Sequence, residues 1–465
     1  MIRTASLALP IGARRAPGPP AMPLLGHLLE FNRDRAGFLR NLAREYGDVV
    51  EFRLGLDRFF LINHPDYIRD VLITHEPNFH KGKALTRAKR LMGEGLVTSE
   101  DAFHMRQRRL MQPAFHRRRI AMYANTMVER AARLAGEWQD GATVEMRQEM
   151  TRLTLGIVCK VLFNTEADGE AAEVGQAFSE LMELTTFMLV PFSEYLEKLP
   201  LPQSIRFRRA KARLDAVVSR IIRERRQSAP GDRGLQSGDD DRGDLLSTLL
   251  AAEDHEGGTG RMADEQVRDE LMTLLVAGHE TLSNALPFTW YLLSQHPAIE
   301  ARLHDEIDSV LGDRLPTLED LARLPYTEMV LAESMRVYPP VWFLGRRALQ
   351  PYEVGGFTIP KGSFIVLSQW VTHHDPRYYP DPDTFDPERW TPEARASRPK
   401  FAYFPFGGGV RGCIGESFGW TEGRLAVATL AQRWSMRLVP GHPVAIHAVS
   451  TLRPKYGVRM TVHRR

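Results

Sequence analysis

Cys413 stands in the run Phe404-Pro-Phe-Gly-Gly-Gly-Val-Arg-Gly-Cys413-Ile-Gly-Glu-Ser-Phe-Gly419. The flanking glycines remove side chains that would obstruct the sulfur, so a large flat ligand can approach it closely. The next segment, Glu416 to Arg437, has helical periodicity and sets the sulfur near a helix N-terminus, where free N–H groups and the helix dipole favour a thiolate. A stabilised thiolate on such a loop fits either a nucleophile or a metal ligand. The only other cysteine, Cys159, lies in the apolar stretch from Leu153 to Phe163 and reads as a core residue. Two distant cysteines offer neither a disulfide framework nor zinc spacing, which fits a reducing compartment. Gly407-x-Gly409-x-x-Gly412 also matches a dinucleotide fingerprint, but that motif needs a buried strand before it. Pro405 makes the lead-in unsuited to one.

With 61 basic and 58 acidic residues among 465, the net charge is only +3, so composition does not imply nucleic acid. No apolar run approaches the length of a membrane span. Residues 1–20, with Arg14-Arg15 and Ala16-Pro-Gly-Pro-Pro20 but no apolar segment behind them, read as a flexible or extended lead rather than an export signal. The chain is expected to be soluble and cytoplasmic. Residues 47–55 and 58–63 read as two strands joined by a turn at 55–57, and most of the chain up to about residue 340 reads as helix. The polar run 228–243 reads as a mobile surface loop or linker. Short strands are expected between Tyr352 and Leu367, an irregular packed segment over 374–404, and a last strand over 458–463. The fold class is therefore mainly α with a smaller β region.

Three further constellations carry chemistry. On a long helix expected from Asp264 to Gln295, Ala277 and Gly278 are small enough for a ligand to press against the backbone, and Thr281 lies one turn after Ala277. A hydroxyl beside Glu280 can relay protons through water; alone, the pair is also an ordinary surface pair. Pro287 interrupts the hydrogen-bond ladder further along. Glu333 and Arg336 are one helical turn apart, either an exposed pair or, with Arg389, a buried network in which losing one partner costs roughly 3–5 kcal/mol. Arg106, Arg109, Arg117, Arg118 and Arg119 form a basic run, either a solvated face or a docking surface for an acidic partner.

The pattern Phe406-x-x-Gly409-x-Arg411-x-Cys413-x-Gly415 resembles the haem-binding loop of the cytochrome P-450 family. Ala277-Gly278-x-Glu280-Thr281 resembles the oxygen-activating centre of that family's longest helix, with His279 at a variable position, structural or solvent-facing. Glu333, Arg336 and Arg389 resemble its Glu–Arg–Arg network, with Trp390 where phenylalanine is common. His104-Met-Arg-Gln-Arg108, Arg346 and Arg411 resemble its haem-propionate contacts. The resemblance runs from Pro17 to the C-terminus. It implies the cytochrome P-450 fold: one triangular domain over 21–465, with a long central helix over the haem.

The resemblance also implies haem b held non-covalently with the Cys413 thiolate as axial ligand, and a proton relay through Thr281 and Glu280. The implied activity is a monooxygenase that inserts one atom of O2 into a lipophilic small molecule, by hydroxylation or epoxidation. With no fused flavin reductase expected, electrons come from a ferredoxin or flavodoxin with an NAD(P)H-dependent reductase. Val341, Trp342, Phe343, Leu344, Thr451 and Leu452 match substrate-lining segments, and 85–96 matches the variable loop over the pocket. Their apolar character suggests a fatty acid or terpenoid. A peroxide-driven peroxygenase, a haem-dependent isomerase or lyase, and a non-enzymatic haem sensor are the rival readings. The intact Glu280–Thr281 pair speaks against all three.

Overall fold

In the computed structural model the chain is organised around one helix, Asp264–Gln295. The structure describes residues 14–164, 201–227, 244–254 and 260–465, with Val174, Ala177, Phe178, Leu181 and Leu199 singly between them. The expected loop over 228–243 lies outside the described residues.

The long helix starts where the side chain of Gln266 accepts from the Ala263 N–H at 3.2 Å, with Asp264 and Glu265 in its first turn complementing the dipole. It is apolar on nearly all sides, the pattern of a helix enclosed by others. Met146–Phe163 packs along it, and Pro202–Gln227 and Pro325–Val337 lie against it as well. Pro287 sits inside the helix, which continues past it to Gln295. The Cβ that Gly278 lacks would come within 2.9 Å of Val158. Its smallness therefore serves packing against the neighbouring helix.

The main sheet has five strands in the order Val49–Leu54, Asp57–Ile62, Phe364–Leu367, Leu344–Ala348, Phe79–Lys81. Asp57–Ile62 and Phe364–Leu367 pair in parallel and the other pairs are antiparallel. The hairpin turn at Gly55 has φ of 64°, a conformation glycine adopts without steric cost. Trp434–Leu438, Arg459–Arg464 and Thr143–Glu145 form a second sheet.

Three expectations are corrected here, and a fourth, the flexible or extended lead, is narrowed. The helix after the cysteine spans Glu416–Ala431, and the chain then turns into the strand Trp434–Leu438; apolar residues at 434, 436 and 438 belong to a strand's period of two, which a helical window blurs. The segment 85–96 is largely the helix Lys83–Met92. Within the N-terminal lead, residues 14–20 are docked: Glu51 N–H donates to the Pro17 carbonyl at 2.8 Å, Arg15 Nε meets Glu51 at 3.0 Å, and Ala16 is buried. Trp342 and Leu452 belong to a hydrophobic cluster with Phe52, Leu61 and Phe288. Among the described residues no helix is long and apolar enough to cross a membrane.

Candidate active site

The cysteine loop is built by backbone bonds. Gly407 N–H donates to Phe404 O (2.9 Å), Gly412 N–H to Gly409 O (3.0 Å) and Cys413 N–H to Phe406 O (2.9 Å). Gly409 has φ of 68°, and a methyl group there would overlap the Leu72 carbonyl, so the loop lies directly on that segment. Phe406 packs against Trp420 at 5.7 Å between rings. Gly415 is under no such constraint, since a Cβ would meet Phe115 and Sγ of Cys413 only at 3.7 and 3.9 Å.

Cys413 is exposed, yet burial raises its thiol above the ordinary range, with Glu416 adding to the effect and the Gly415 N–H and Arg108 opposing it. The expected thiolate-favouring helix terminus is thus outweighed by desolvation. A bound metal cation reverses that balance, because a coordinating thiol is deprotonated outright. Cys159 is buried in the main core, and burial pushes its thiol to about 12.

Beside the loop lies a nest of basic side chains. Arg108 Nη1 donates to the Gly412 carbonyl at 2.7 Å. Arg411 pairs with Glu76 and Glu100. Arg346 is buried, its Nε lacks a partner, and burial followed by the nearby Arg411 pushes it down to about 10. His104 is buried with Nε2 unpartnered and is pushed to about 4 by burial, then by Lys81 and Arg411. Lys81 completes the nest. Its Nζ donates to the carbonyls of Leu96 (2.9 Å) and Ser99 (2.6 Å), and burial is the largest cause holding it at about 7. Lys81 escaped the sequence reading because a lone lysine in a polar stretch carries no motif; only the packing of the strand Phe79–Lys81 turns it inward.

The orphaned Nε–H of buried Arg346 is costly unless an acceptor completes it, and Arg411 already draws two carboxylates, Glu76 and Glu100, to the nest. The donors of the nest suit carboxylates, which is the chemistry of haem propionates. The residues present therefore fit the group that the motifs imply.

The long helix offers the complementary wall. Between Glu270 and Trp290 the residues that are not buried are Val276, Ala277, Gly278, Glu280 and Thr281. Thr281 Oγ1 donates to the Ala277 carbonyl at 2.9 Å. Glu280 points elsewhere: its Oε1 accepts from Thr451 Oγ1 (2.9 Å) and Ser450 Oγ (3.3 Å). His279 is buried edge-on against Phe178 with ring centroids 5.5 Å apart, and burial pushes it to about 4. It is structural and does not face solvent. The long helix and the cysteine helix approach where Leu282 meets the Gly423 position at 3.5 Å. Leu344 comes within 3.4 Å of the Gly407 position, while Val341, Phe343 and Leu344 are half-buried.

Beneath the cysteine loop, Glu333 and Arg336 are fully buried and bonded twice, each at 2.8 Å. Arg389 Nε is 3.4 Å from Glu333. Trp390 Nε1 donates to Glu333 at 2.9 Å, a role open to tryptophan but not to phenylalanine.

An accessible thiol, a nest of basic side chains and a partly exposed stretch of helix define a haem-thiolate protein. The chain belongs to the cytochrome P450 family, which it matches over residues 16–459. It is 40% identical over 429 residues to cyclooctatin synthase of Streptomyces melanosporofaciens (92% of this chain, 91% of that protein). It is 35% identical over 437 residues to pentalenene oxygenase of Streptomyces avermitilis (93% and 94%). Its fold is similar to that of retinoic acid-bound cyanobacterial CYP120A1, with a TM-score of 0.85, 29% identity and 98% and 100% of the two chains covered. It is also similar to the P450DA haem domain, at 0.86, 30%, 97% and 98%. The protein is a monooxygenase whose cofactor is protoporphyrin IX haem with a cysteine ligand.

Proposed function

We propose that Cys413 ligates the haem iron, that His104, Arg108, Arg346 and Arg411, with Lys81, hold the propionates, and that Glu280 and Thr281 pass protons. The substrate is a terpenoid. The observation that carries this reading is the run Val276, Ala277, Gly278, Glu280 and Thr281, exposed or half-buried within the buried middle of a long helix that also approaches the cysteine helix. The terpenoid assignment is supported by the relatives named pentalenene oxygenase and cyclooctat-9-en-7-ol 5-monooxygenase, and by the half-buried apolar residues Val341, Phe343 and Leu344.

When bound, the haem supplies the redox iron at which O2 is reductively split, with thiolate electron donation favouring O–O cleavage. One turnover converts a C–H bond, O2, two electrons and two protons into an alcohol and water. Electrons come from a separate ferredoxin or flavodoxin with its NAD(P)H-dependent reductase. The chain's own work is to hold substrate against the wall, keep stray water out and deliver the protons. Glu280 is held by Thr451 and Ser450, and the Thr281 hydroxyl, bonded to the Ala277 carbonyl, stands one residue further on.

The test is the absorption of the dithionite-reduced, carbon monoxide-treated protein. A strongly red-shifted Soret band is expected in wild type and Cys159→Ala and lost in Cys413→Ala; its survival in Cys413→Ala overturns the ligand assignment. Thr281→Ala is expected to keep that band while releasing hydrogen peroxide in place of product, and unchanged coupling overturns the relay. Turnover of cyclic terpenoids with a ferredoxin pair, but not with peroxide alone, separates a monooxygenase from a peroxygenase.

A further inference from the structure

Glu280 is held by a segment far away in the sequence. Its carboxylate accepts from Thr451 at 2.9 Å and from Ser450 at 3.3 Å. Asn284 Nδ2 donates both to the Glu280 carbonyl, 2.8 Å away, and to Thr451 Oγ1 at 3.2 Å. Because Thr451 Oγ1 already accepts from that amide, its own proton is directed at Glu280. The opposite face of Asn284 accepts from Arg147 Nε at 3.4 Å, and Arg453 lies close enough to sense both Arg147 and Glu280.

The turn that carries Thr451 is stapled in place. Leu452 N–H donates to the Pro340 carbonyl at 2.8 Å, and Trp342 Nε1 donates to the Val449 carbonyl at 3.0 Å. Thr451 is itself buried, at 7% exposure. A hydroxyl fixed from both sides is a preorganised donor, since the protein has already lost the freedom that binding would otherwise remove.

We infer that Thr451, oriented by Asn284, is a positioning residue for the proton-relay carboxylate. It fixes Glu280 at the outer end of the relay, where the acid is recharged from solvent between turnovers. The inference rests on the reading of Glu280 as a proton-delivering group. It also explains the place of this turn in the fold: the strands Ile446–Ala448 and Leu452–Pro454 bring it over the long helix while bracing the segment that begins at Pro340.

The experiment compares Thr451→Val, Thr451→Ala, Thr451→Ser and Glu280→Gln in the haem-loaded enzyme. The first readout needs no turnover. With 13C-labelled glutamate, the infrared difference between wild type and Glu280→Gln isolates the Glu280 carboxylate band. That band is expected to shift in Thr451→Val and Thr451→Ala and to return in Thr451→Ser. The second readout is coupling with a ferredoxin pair. Product per electron pair is expected to fall several-fold in Thr451→Val, with peroxide release and the solvent isotope effect on kcat both rising, and Thr451→Ser again restoring wild-type values. If either apolar variant loses haem, the other carries the comparison.

An unshifted band with wild-type coupling in the apolar variants, while Glu280→Gln uncouples, overturns the role of Thr451 and leaves the relay standing. Wild-type coupling and isotope effect in Glu280→Gln overturn the relay and this inference together.

Discussion

Glu333→Gln is the most discriminating perturbation of the fold around the cysteine. Oε1 accepts from Arg336 Nη2 (2.8 Å) and the Asp386 N–H (3.0 Å), and Oε2 from Arg336 Nε (2.8 Å) and Trp390 Nε1 (2.9 Å). Whichever oxygen becomes an amide nitrogen, two donors lose their acceptor. Arg336, fully buried, and Arg389 also lose their counter-charge. Breaking a buried pair by removing one partner costs about 3–5 kcal/mol. Trp390→Phe removes a single bond to the same carboxylate and costs about 1.5–3 kcal/mol. Urea unfolding of the haem-loaded protein measures both, read by far-UV circular dichroism and by haem absorbance. Arg336 Nη1 also holds the carbonyls of His373 (2.8 Å) and Pro382 (2.7 Å), and His373 Nε2 accepts from the Phe404 N–H at 3.1 Å, at the entrance to the cysteine loop. In Glu333→Gln the haem signal should therefore be lost at lower urea than the helical signal. If Glu333→Gln destabilises no more than Trp390→Phe, the charge contributes nothing beyond one hydrogen bond, and the reasoning fails.

Gly409→Ala should abolish haem incorporation, because the added methyl overlaps the Leu72 carbonyl. Gly356→Ala, at φ of 78° with nothing within 4 Å, should cost only the left-handed strain of ~1–2 kcal/mol; the haem-to-protein ratio of the two variants decides it. His374 is pushed by burial to about 3, so the unfolded chain takes up a proton near pH 6.5 that the folded chain refuses, and stability falls as pH drops below that point. His374→Gln should flatten the dependence of unfolding free energy on pH between 6 and 4.5 by about 1.4 kcal/mol per pH unit; an unchanged slope refutes a neutral buried His374.

Motifs whose chemistry is local could be read from the chain before its fold was known. The cysteine loop, the long helix to its last residue, and the Glu333–Arg336 pair are of this kind, because glycine placement and helical period are set by near neighbours. Partners distant in sequence could not be read this way. Nothing near Glu280 announces Thr451, nothing near Arg411 announces Glu76 or Glu100, and an apolar residue such as Trp342 reads the same whether it faces a ligand or a core. Gly278 shows the same ambiguity in reverse, since its small size also serves packing against Val158. The helix-terminus effect on Cys413 is visible in sequence, whereas the desolvation that opposes it is not.

The parallel pairing of Asp57–Ile62 with Phe364–Leu367 has a consequence for how the protein is made. As the chain leaves the ribosome, the hairpin over 49–62 forms early, while the strand that covers its other edge emerges about 300 residues later, which at synthesis rates of ~5–20 residues per second is a wait of roughly 15–60 s. Throughout that interval Phe59, Phe60, Leu61 and Ile62 present an unpaired apolar edge, the kind of template on which nascent chains join one another. Slower translation prolongs that exposure, so the yield of active enzyme is set partly by what shields this edge before residue 364 arrives.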